Sequence, residues 1–525
     1  MSLLSALQDL EWKEMCASLY SSITPTHLLA AAAALVGYKL VYALCLSPLR
    51  NIPGPFFARL SNIRLGYIGM SGKMSKYAMH DYEKYGDLYV CGPNAVSLSN
   101  LVDLKSALST HAFAKPEFYH AFHLFGIENI LSSSNADLVG IRKRQVGPFF
   151  NLGYLQNMEP TILKAGYQAL KEKWDAQIEA EAKGNIEINY SMSYMLTTLD
   201  VIGALMCGQE LECIKTDNVV PIKWVQDSMM LHMHKAVFPI LKAFPFSLLV
   251  RGLEDNFGRA TRAVRRLINR RRAILDSGAE KPVDLLQAFL DAEDPHSKIR
   301  MSETEIQVES MLMLGAGIDT TANTLAWTTH LLMLHPDIYR RAVDEIRSQF
   351  DSGHLITYAD AREKLPFTEA CIYESLRLCP VIGGQLPRSI PSGGVTFQGH
   401  YLPGGTELHI NFRGAAMNKD MWPEPYKYNP DRFVGNSEAR RNFFAFSSGV
   451  RVCTGRNLSW MEMLTIFANM LKDYDWSLPD DYTHLGPKVL DERGYPKKME
   501  SRHFIITASA NPERDCRLVI KKHVE

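Results

Sequence analysis

The sequence predicts a mainly α-helical fold with small β-sheets, preceded by an N-terminal membrane anchor. Three observations carry this. Apolar residues recur at intervals of three and four over most of the chain, which is the helical period. Strand-like stretches are few, short and broken by Gly and Pro turns. One segment near the N-terminus departs from the pattern of a soluble chain, being long and almost uncharged.

The composition bounds the rest. With 525 residues, 46% hydrophobic and 22% charged, the chain can bury a large core and is not disordered. Lys plus Arg equals Asp plus Glu at 57 each, so no global field favours nucleic acid or a strongly charged substrate. Nine cysteines, odd in number, widely spread and without a C-x-x-C pair, argue against a disulfide framework or a zinc site. They fit a reducing compartment.

The uncharged segment runs from Leu28 to Leu46, with Lys39 as its single charge. Its length can cross a bilayer, and the long stem of Lys39 can reach the interface. Ahead of it stand Asp9, Glu11 and Glu14 with only Lys13, which is a poor basic leader for a cleaved signal peptide. After it come Arg50, Arg59, Arg64, Lys73 and Lys76 with no acidic residue before Asp81, so the positive-inside rule places the body in the cytosol. The chain is therefore divided into an N-terminal segment 1–27, a transmembrane anchor 28–46, a proline hinge 47–55 around "NIPGP", and one large body 56–525. No low-complexity linker or internal repeat subdivides that body.

Within it, 87–100 reads as two strands around a Gly-Pro-Asn turn, and 394–412 as further strands around Pro-Gly-Gly. The longest helix begins at the capping-box pattern Ser302 to Glu305 and ends at His335-Pro336. At ~1.5 Å per residue it spans roughly 45 to 50 Å, so it is expected to pass through the middle of the domain.

Three stretches of sequence carry chemistry. In "MLGAGIDTTANTL", Gly315 and Gly317 each cost ~1 kcal/mol relative to alanine in a helix interior, which calls for a reason. Either something approaches the backbone at a notch beside Asp319 and Thr320, or the glycines serve a close helix crossing beside a solvated Asp. In "EACIYESLRLCP", Glu374 and Arg377 share a helical face, and Arg432 in "NPDRF" offers a further cation. In "FAFSSGVRVCTGRNLSWMEM", Phe446, Gly449, Arg451, Cys453 and Gly455 spell F-x-x-G-x-R-x-C-x-G ahead of an amphipathic helix marked by Leu458, Met461, Leu464, Phe467 and Leu471. A cysteine on a glycine-framed turn before a helix N-terminus is expected to be a thiolate, hence a nucleophile or a metal ligand. With one cysteine, no histidine and small glycines suited to a flat object, the axial ligand of a haem is favoured.

Taken together and in order, the anchor, the proline hinge, A-G-x-D-T-T as Ala316 to Thr321, E-x-x-R, P-x-R-F as Pro430 to Phe433, and the cysteine loop resemble a microsomal cytochrome P-450. This is the haem-thiolate monooxygenase superfamily, and the resemblance, to a fungal member, covers nearly the whole chain. It implies the cytochrome P-450 fold with a long central helix over haem b. It makes Cys453 the proximal iron ligand, Phe446 its packing partner and the amides near Gly455 the groups that moderate its charge. Arg451, Arg388 and Arg144 would bind the propionates, although Gly140 stands where the W-x-x-x-R pattern has Trp. Glu374, Arg377 and Arg432 would be scaffold. Asp319 and Thr320 would deliver protons, and Gly317 would make room for O2. The resemblance further implies electrons from NADPH through a separate reductase, with cytochrome b5 as a further partner, and residence in the endoplasmic reticulum membrane. A basic patch of Arg142, Lys143, Arg440, Arg441 and Arg456 would dock the reductase. Apolar stretches at 122–131, 234–246 and 381–386 would wall a pocket for a lipophilic substrate, and fungal relatives often act in secondary metabolism on terpenoid, polyketide or alkaloid skeletons. The rival readings are a haem-thiolate sensor without turnover and a Cys-nucleophile hydrolase.

Overall fold

The computed structural model describes residues 24–208 and 211–524, so the charges at 9, 11, 13 and 14 lie outside the described residues. A helix runs from Pro25 to Val41 and continues as a π-helical turn over Tyr42–Leu46. It starts three residues earlier than the apolar run because Thr24 caps it and Pro25 fits the first turn, where no amide donor is needed. Among the described residues it is the one helix long and apolar enough to cross a membrane.

The hinge that follows is clamped to the body. Leu49 and Ile52 are buried, and the Val90 amide donates to the Pro53 carbonyl at 2.8 Å. A Cβ at Gly54 would lie 2.5 Å from the Val90 carbonyl oxygen, so only glycine lets the chain pass this close. Arg59 donates from Nη1 to the Leu49 carbonyl at 3.1 Å, closing the clamp.

Both expected strand regions form. Leu88–Gly92 and Ala95–Leu98 pair as a hairpin, and Glu407–Asn411 joins the second strand in parallel. Gln385–Ser389 completes this four-stranded sheet on the far side. Its inward residues Val90, Val96, Leu98, Leu408 and Ile410 make a small core of their own. A three-stranded sheet sets the C-terminal strand Arg517–Lys522 between Asn185–Asn189 and Tyr474–Ser477.

The larger core is helical. The helix Glu303–Leu334 has 32 residues and carries the expected capping box, Ser302 and Glu305 each bonding the other's backbone amide. It packs on Tyr190–Cys207, Pro366–Leu378 and Arg456–Asp473. The last of these departs from the amphipathic pattern: Glu462, Thr465, Asn469 and Lys472 are buried along with the apolar residues. Asn469 and Lys472 satisfy themselves on backbone carbonyls, Asn469 on Ile356 at 2.9 Å and Lys472 on Ser352 at 2.6 Å. Polar residues on that face thus read as solvent-facing in sequence while they hold neighbouring loops.

Candidate active site

The cysteine loop is tied to itself before the helix Arg456–Asp473 begins. The Cys453 amide donates to the Phe446 carbonyl at 2.9 Å, and Phe446 stacks loosely between Phe443 and Trp460 at 6.4 and 6.0 Å. Gly449 takes φ +57°, and a Cβ there would meet the Leu108 carbonyl oxygen at 2.3 Å, so this glycine is required by the backbone itself. Gly455 is different. A Cβ there would meet no protein atom within 4 Å, leaving the backbone beside Cys453 open to a planar group.

Cys453 is surrounded by protein yet keeps accessible surface, which places its sulfur on an interior cleft. Burial raises the thiol above its ordinary pKa, against the amides of Gly455 and Arg456 and the charges of Lys143 and Arg456. The amides at the helix start thus act in the expected direction, toward the anion, while desolvation acts against them.

A buried ion network ties the helix Pro366–Leu378 to the 416–432 stretch. Arg377 donates to both oxygens of Glu374, at 2.7 and 2.8 Å, and to the Ala416 carbonyl at 2.7 Å. Arg432 adds a longer bond to Glu374 at 3.3 Å, and the Asn429 amide another at 3.0 Å. Glu374 and Arg377 are essentially inaccessible, and every charged atom that desolvation would penalise has a partner.

Around Cys453 gathers a group of cations. Arg451 is flanked by Arg388, Lys143, Lys115 and His111, each of which feels at least one of the others. Burial and this mutual repulsion push the Lys115 ammonium down to about 6. Arg388 is held by the Tyr119 hydroxyl at 2.9 Å and the Pro387 carbonyl at 2.8 Å. Nε, Nη1 and Nη2 of Arg451 are all buried without an acceptor.

Arg144 is not among them. It points the other way and pairs with Asp294 at 2.5 Å, within a loop also held by Ser297. Its neighbour Lys143 faces the site instead, donating to the Val450 carbonyl at 2.7 Å. On a helix one residue is a turn of about 100°, so a register error of one position exchanges the faces. Arg142 also leaves the expected surface patch: it is buried, bonded to Gln145 at 2.7 Å and to Glu305.

The helix Glu303–Leu334 packs on the helix that follows Cys453. Ala316 is exposed midway along this helix, between buried Gly315 and half-buried Gly317. Thr320 sits one turn on and bonds back to the Ala316 carbonyl at 2.7 Å. Thr321 reaches Ser459 at 3.1 Å and so ties this helix to the one that follows Cys453. Asp319 is buried, not solvated, and desolvation lifts its carboxyl to about 6 against a hydrogen bond from Gln226.

The two glycines serve helix crossings. A Cβ at Gly317 would press on Ile202 at 3.0 Å, and one at Gly315 on Met229 at 3.1 Å. Gly317 therefore makes room for the helix Tyr190–Cys207, the helix-crossing alternative that the sequence left open. The expected pocket walls also divide: Leu124 and Asn129 are buried, whereas Phe238, Ile240, Phe244 and Phe246 lie exposed on the outer surface. Sequence reasoning missed Lys115, Tyr119 and Gln226, which are brought in from distant stretches.

These features fit a haem. The unpartnered Arg451 within a cluster of cations suits two carboxylates on one edge, the open backbone at Gly455 suits a flat ring, and Cys453 suits an iron. The Cytochrome P450 family model matches residues 50–488. The chain is 43% identical to cytochrome P450 monooxygenase helB1 of Aspergillus fumigatus over 488 residues, 93% of this chain and 84% of the relative. It is 41% identical to helB2 of the same fungus, covering 95% of this chain and 99% of the relative. Similarity to cytochrome P450 monooxygenase BipB of Cochliobolus sativus is 29%, over 84% of this chain and 89% of the relative. With a family model across most of its length and a haem-shaped site to match, the chain belongs to the cytochrome P450 family of haem-thiolate monooxygenases.

Proposed function

We propose that this enzyme inserts one atom of O2 into a lipophilic small molecule in fungal secondary metabolism, on a terpenoid, polyketide or alkaloid skeleton. Electrons come from NADPH through a separate reductase. The observation that carries this reading is the accessible Cys453 two residues after the unpartnered Arg451, on a loop whose following helix is tied by Ser459 to Thr321 of the long helix, next to Thr320. A bound haem with thiolate ligation supplies O2 binding, its reduction and O–O cleavage.

The residues of the chain do the rest. Cys453 would hold the iron, with the amides of Gly455 and Arg456 directed at its sulfur. Arg451 and Arg388 would hold the propionates, with Lys143 and Lys115 adding positive charge. Thr320 presents its hydroxyl from the turn above, and Asp319, with a carboxyl near 6, gives and regains a proton close to neutral pH. Residues 56–525 would form one catalytic domain, with the helix Glu303–Leu334 facing a bound haem.

The N-terminal helix anchors the enzyme in the endoplasmic reticulum membrane with this domain cytosolic. An apolar surface supports that placement: Phe244, Leu249, Phe57 and Ile63 are all more than 70% exposed. The patches adjoin, since a Cβ at Gly66 would touch the Phe238 ring at 3.7 Å. Together they offer a bilayer a contact that water would penalise. The exposed Arg441 and Arg456 remain as a docking site for an acidic reductase.

The test is reconstitution of the full chain with reductase, NADPH and a panel of lipophilic compounds, with Thr320→Ala beside it. The reading expects oxygenated product from the wild type, and from the variant less product and more peroxide per NADPH. No product from any compound, or an unchanged peroxide share in the variant, contradicts it.

A further inference from the structure

Glu309 lies two turns before Ala316 in the helix Glu303–Leu334 and is 1% exposed. Its carboxyl is engaged from two other elements. Oε1 accepts from the Ile130 amide at 3.0 Å and lies 3.5 Å from Nε of Arg142, in the helix Ala136–Val146. Oε2 is buried without a partner. Burial lifts the carboxyl to about 7, against Arg142 and the Ile130 amide, so these two groups favour its charged form. Arg142 gives its own hydrogen bonds to Gln145 and Glu305, and among the described residues the Ile130 amide is the donor that bonds Glu309.

The loop that carries Ile130 is held on its other side as well. The Lys115 ammonium donates to the Leu131 carbonyl and reaches the Ile130 carbonyl at 3.5 Å. Asn129 accepts through Oδ1 from the amides of Leu131 and Ser132, at 3.1 and 2.9 Å, and donates to the Phe122 carbonyl at 2.8 Å. Asn129, Ser132 and Lys115 are buried, yet Leu131 in their midst is 44% exposed. Its backbone is fixed on both sides while its side chain is left uncovered. Lys115 also feels the charge of Arg451, two residues before Cys453, so the uncovered leucine hangs from a loop that joins the long helix to the cation group beside the cysteine.

We propose that Glu309 is a positioning residue for substrate selection: by holding the Ile130 amide it fixes the side chain of Leu131 against a large apolar molecule bound beside the haem, with Arg142 as its counter-charge. This rests on the reading of 122–131 as a wall of the substrate pocket. Without an acceptor at Glu309 the Ile130 amide loses its partner, and the loop must shift to satisfy it. A glutamine there keeps a carbonyl oxygen for the same amide. The effect is selective by size, because a molecule too small to reach Leu131 has no contact to lose.

The experiment uses the full-length, haem-loaded protein and two nitrogen ligands of iron that differ in bulk, imidazole and phenylimidazole, with the Soret shift reading each Kd. Glu309→Leu and Glu309→Met remove the acceptor, and folding of each is checked by the Soret band of its reduced carbonyl form. The proposal predicts that phenylimidazole binds about tenfold more weakly to them, the scale of one leucine contact, while imidazole binds as to wild type. Glu309→Gln should bind both ligands as wild type does. Combining Glu309→Leu with Leu131→Ala should weaken phenylimidazole no further than Leu131→Ala alone, since the acid acts through the leucine. Amide hydrogen exchange over 129–132 should quicken severalfold in Glu309→Leu and not in Glu309→Gln. Equal weakening of the two ligands, additive losses in the combined variant, or unchanged exchange overturns the proposal. Failure of the underlying pocket reading is seen separately, as a Leu131→Ala variant that binds phenylimidazole as tightly as wild type.

Discussion

Lys143 donates its ammonium to the carbonyl of Val450, at 2.7 Å and three residues before Cys453, and so joins the helix Ala136–Val146 to the cysteine loop. Arg144, the next residue, faces away to Asp294. Haem retention should therefore separate the two. Lys143→Met is expected to lose haem several times faster than wild type on transfer to apomyoglobin, and Arg144→Met at the wild-type rate while unfolding more readily, because Asp294 is left with Ser297 alone. Equal haem loss from both variants contradicts the assignment.

Arg451 carries three buried nitrogens without an acceptor, so its charge is a burden to the chain until an anion arrives. The expected effect of Arg451→Met has two signs. The haem-free protein becomes more resistant to urea, and haem binding weakens by about ten- to a hundredfold, the loss of one charged hydrogen bond or two. Urea melts of the apoprotein and haem titration read the two effects independently.

Asp319 exacts a stability cost whose pH window follows from its shift. Its carboxyl rises from 3.8 to about 6 on folding, so between those values the folded state binds more protons than the unfolded. Stability accordingly falls as pH climbs through the window, by about 3 kcal/mol at completion, and is flat above it. Asp319→Asn removes this loss. The variant should be more stable than wild type at neutral pH, lose that advantage below about pH 4, and show impaired oxygenation throughout. An advantage that persists undiminished in acid contradicts the shift.

Glu374 accepts from Arg377, Arg432 and the Asn429 amide in a site closed to water. Glu374→Gln leaves the two guanidinium groups facing a neutral amide and is expected to cost about 3 to 5 kcal/mol. If the network supports the cysteine loop, as the resemblance implies, chemical denaturation and the reduced carbonyl spectrum fail together. A stable variant with a normal spectrum contradicts the scaffold role.

The parts of this account that were legible in the sequence are local. The capping box at Ser302, the strands around the Gly-Pro-Asn turn, the E-x-x-R pair and the loop at Cys453 each lie within a short stretch whose residues constrain one another. The rest depends on facing and distance. Gln226 lies 93 residues from Asp319, and Lys115 reaches Arg451 only through the folded chain, so no spacing announces either. Arg144 was named for the propionates and Lys143 for the outer surface, and only helix rotation tells their faces apart, with Gly140 giving no aromatic marker of the inner one. Gly317 answered to Ile202, a residue in another helix, and Glu462 is buried, its carboxyl lifted to about 8 by desolvation, where periodicity put a polar face.

The central claim is that Cys453 is the thiolate ligand of a haem, and one spectrum tests it. The purified full-length protein, reduced and treated with carbon monoxide, should show the red-shifted Soret band of thiolate-ligated haem. Cys453→Ser should lose that band. A wild-type protein without the red-shifted band, or a Cys453→Ser variant that keeps it, would contradict the account.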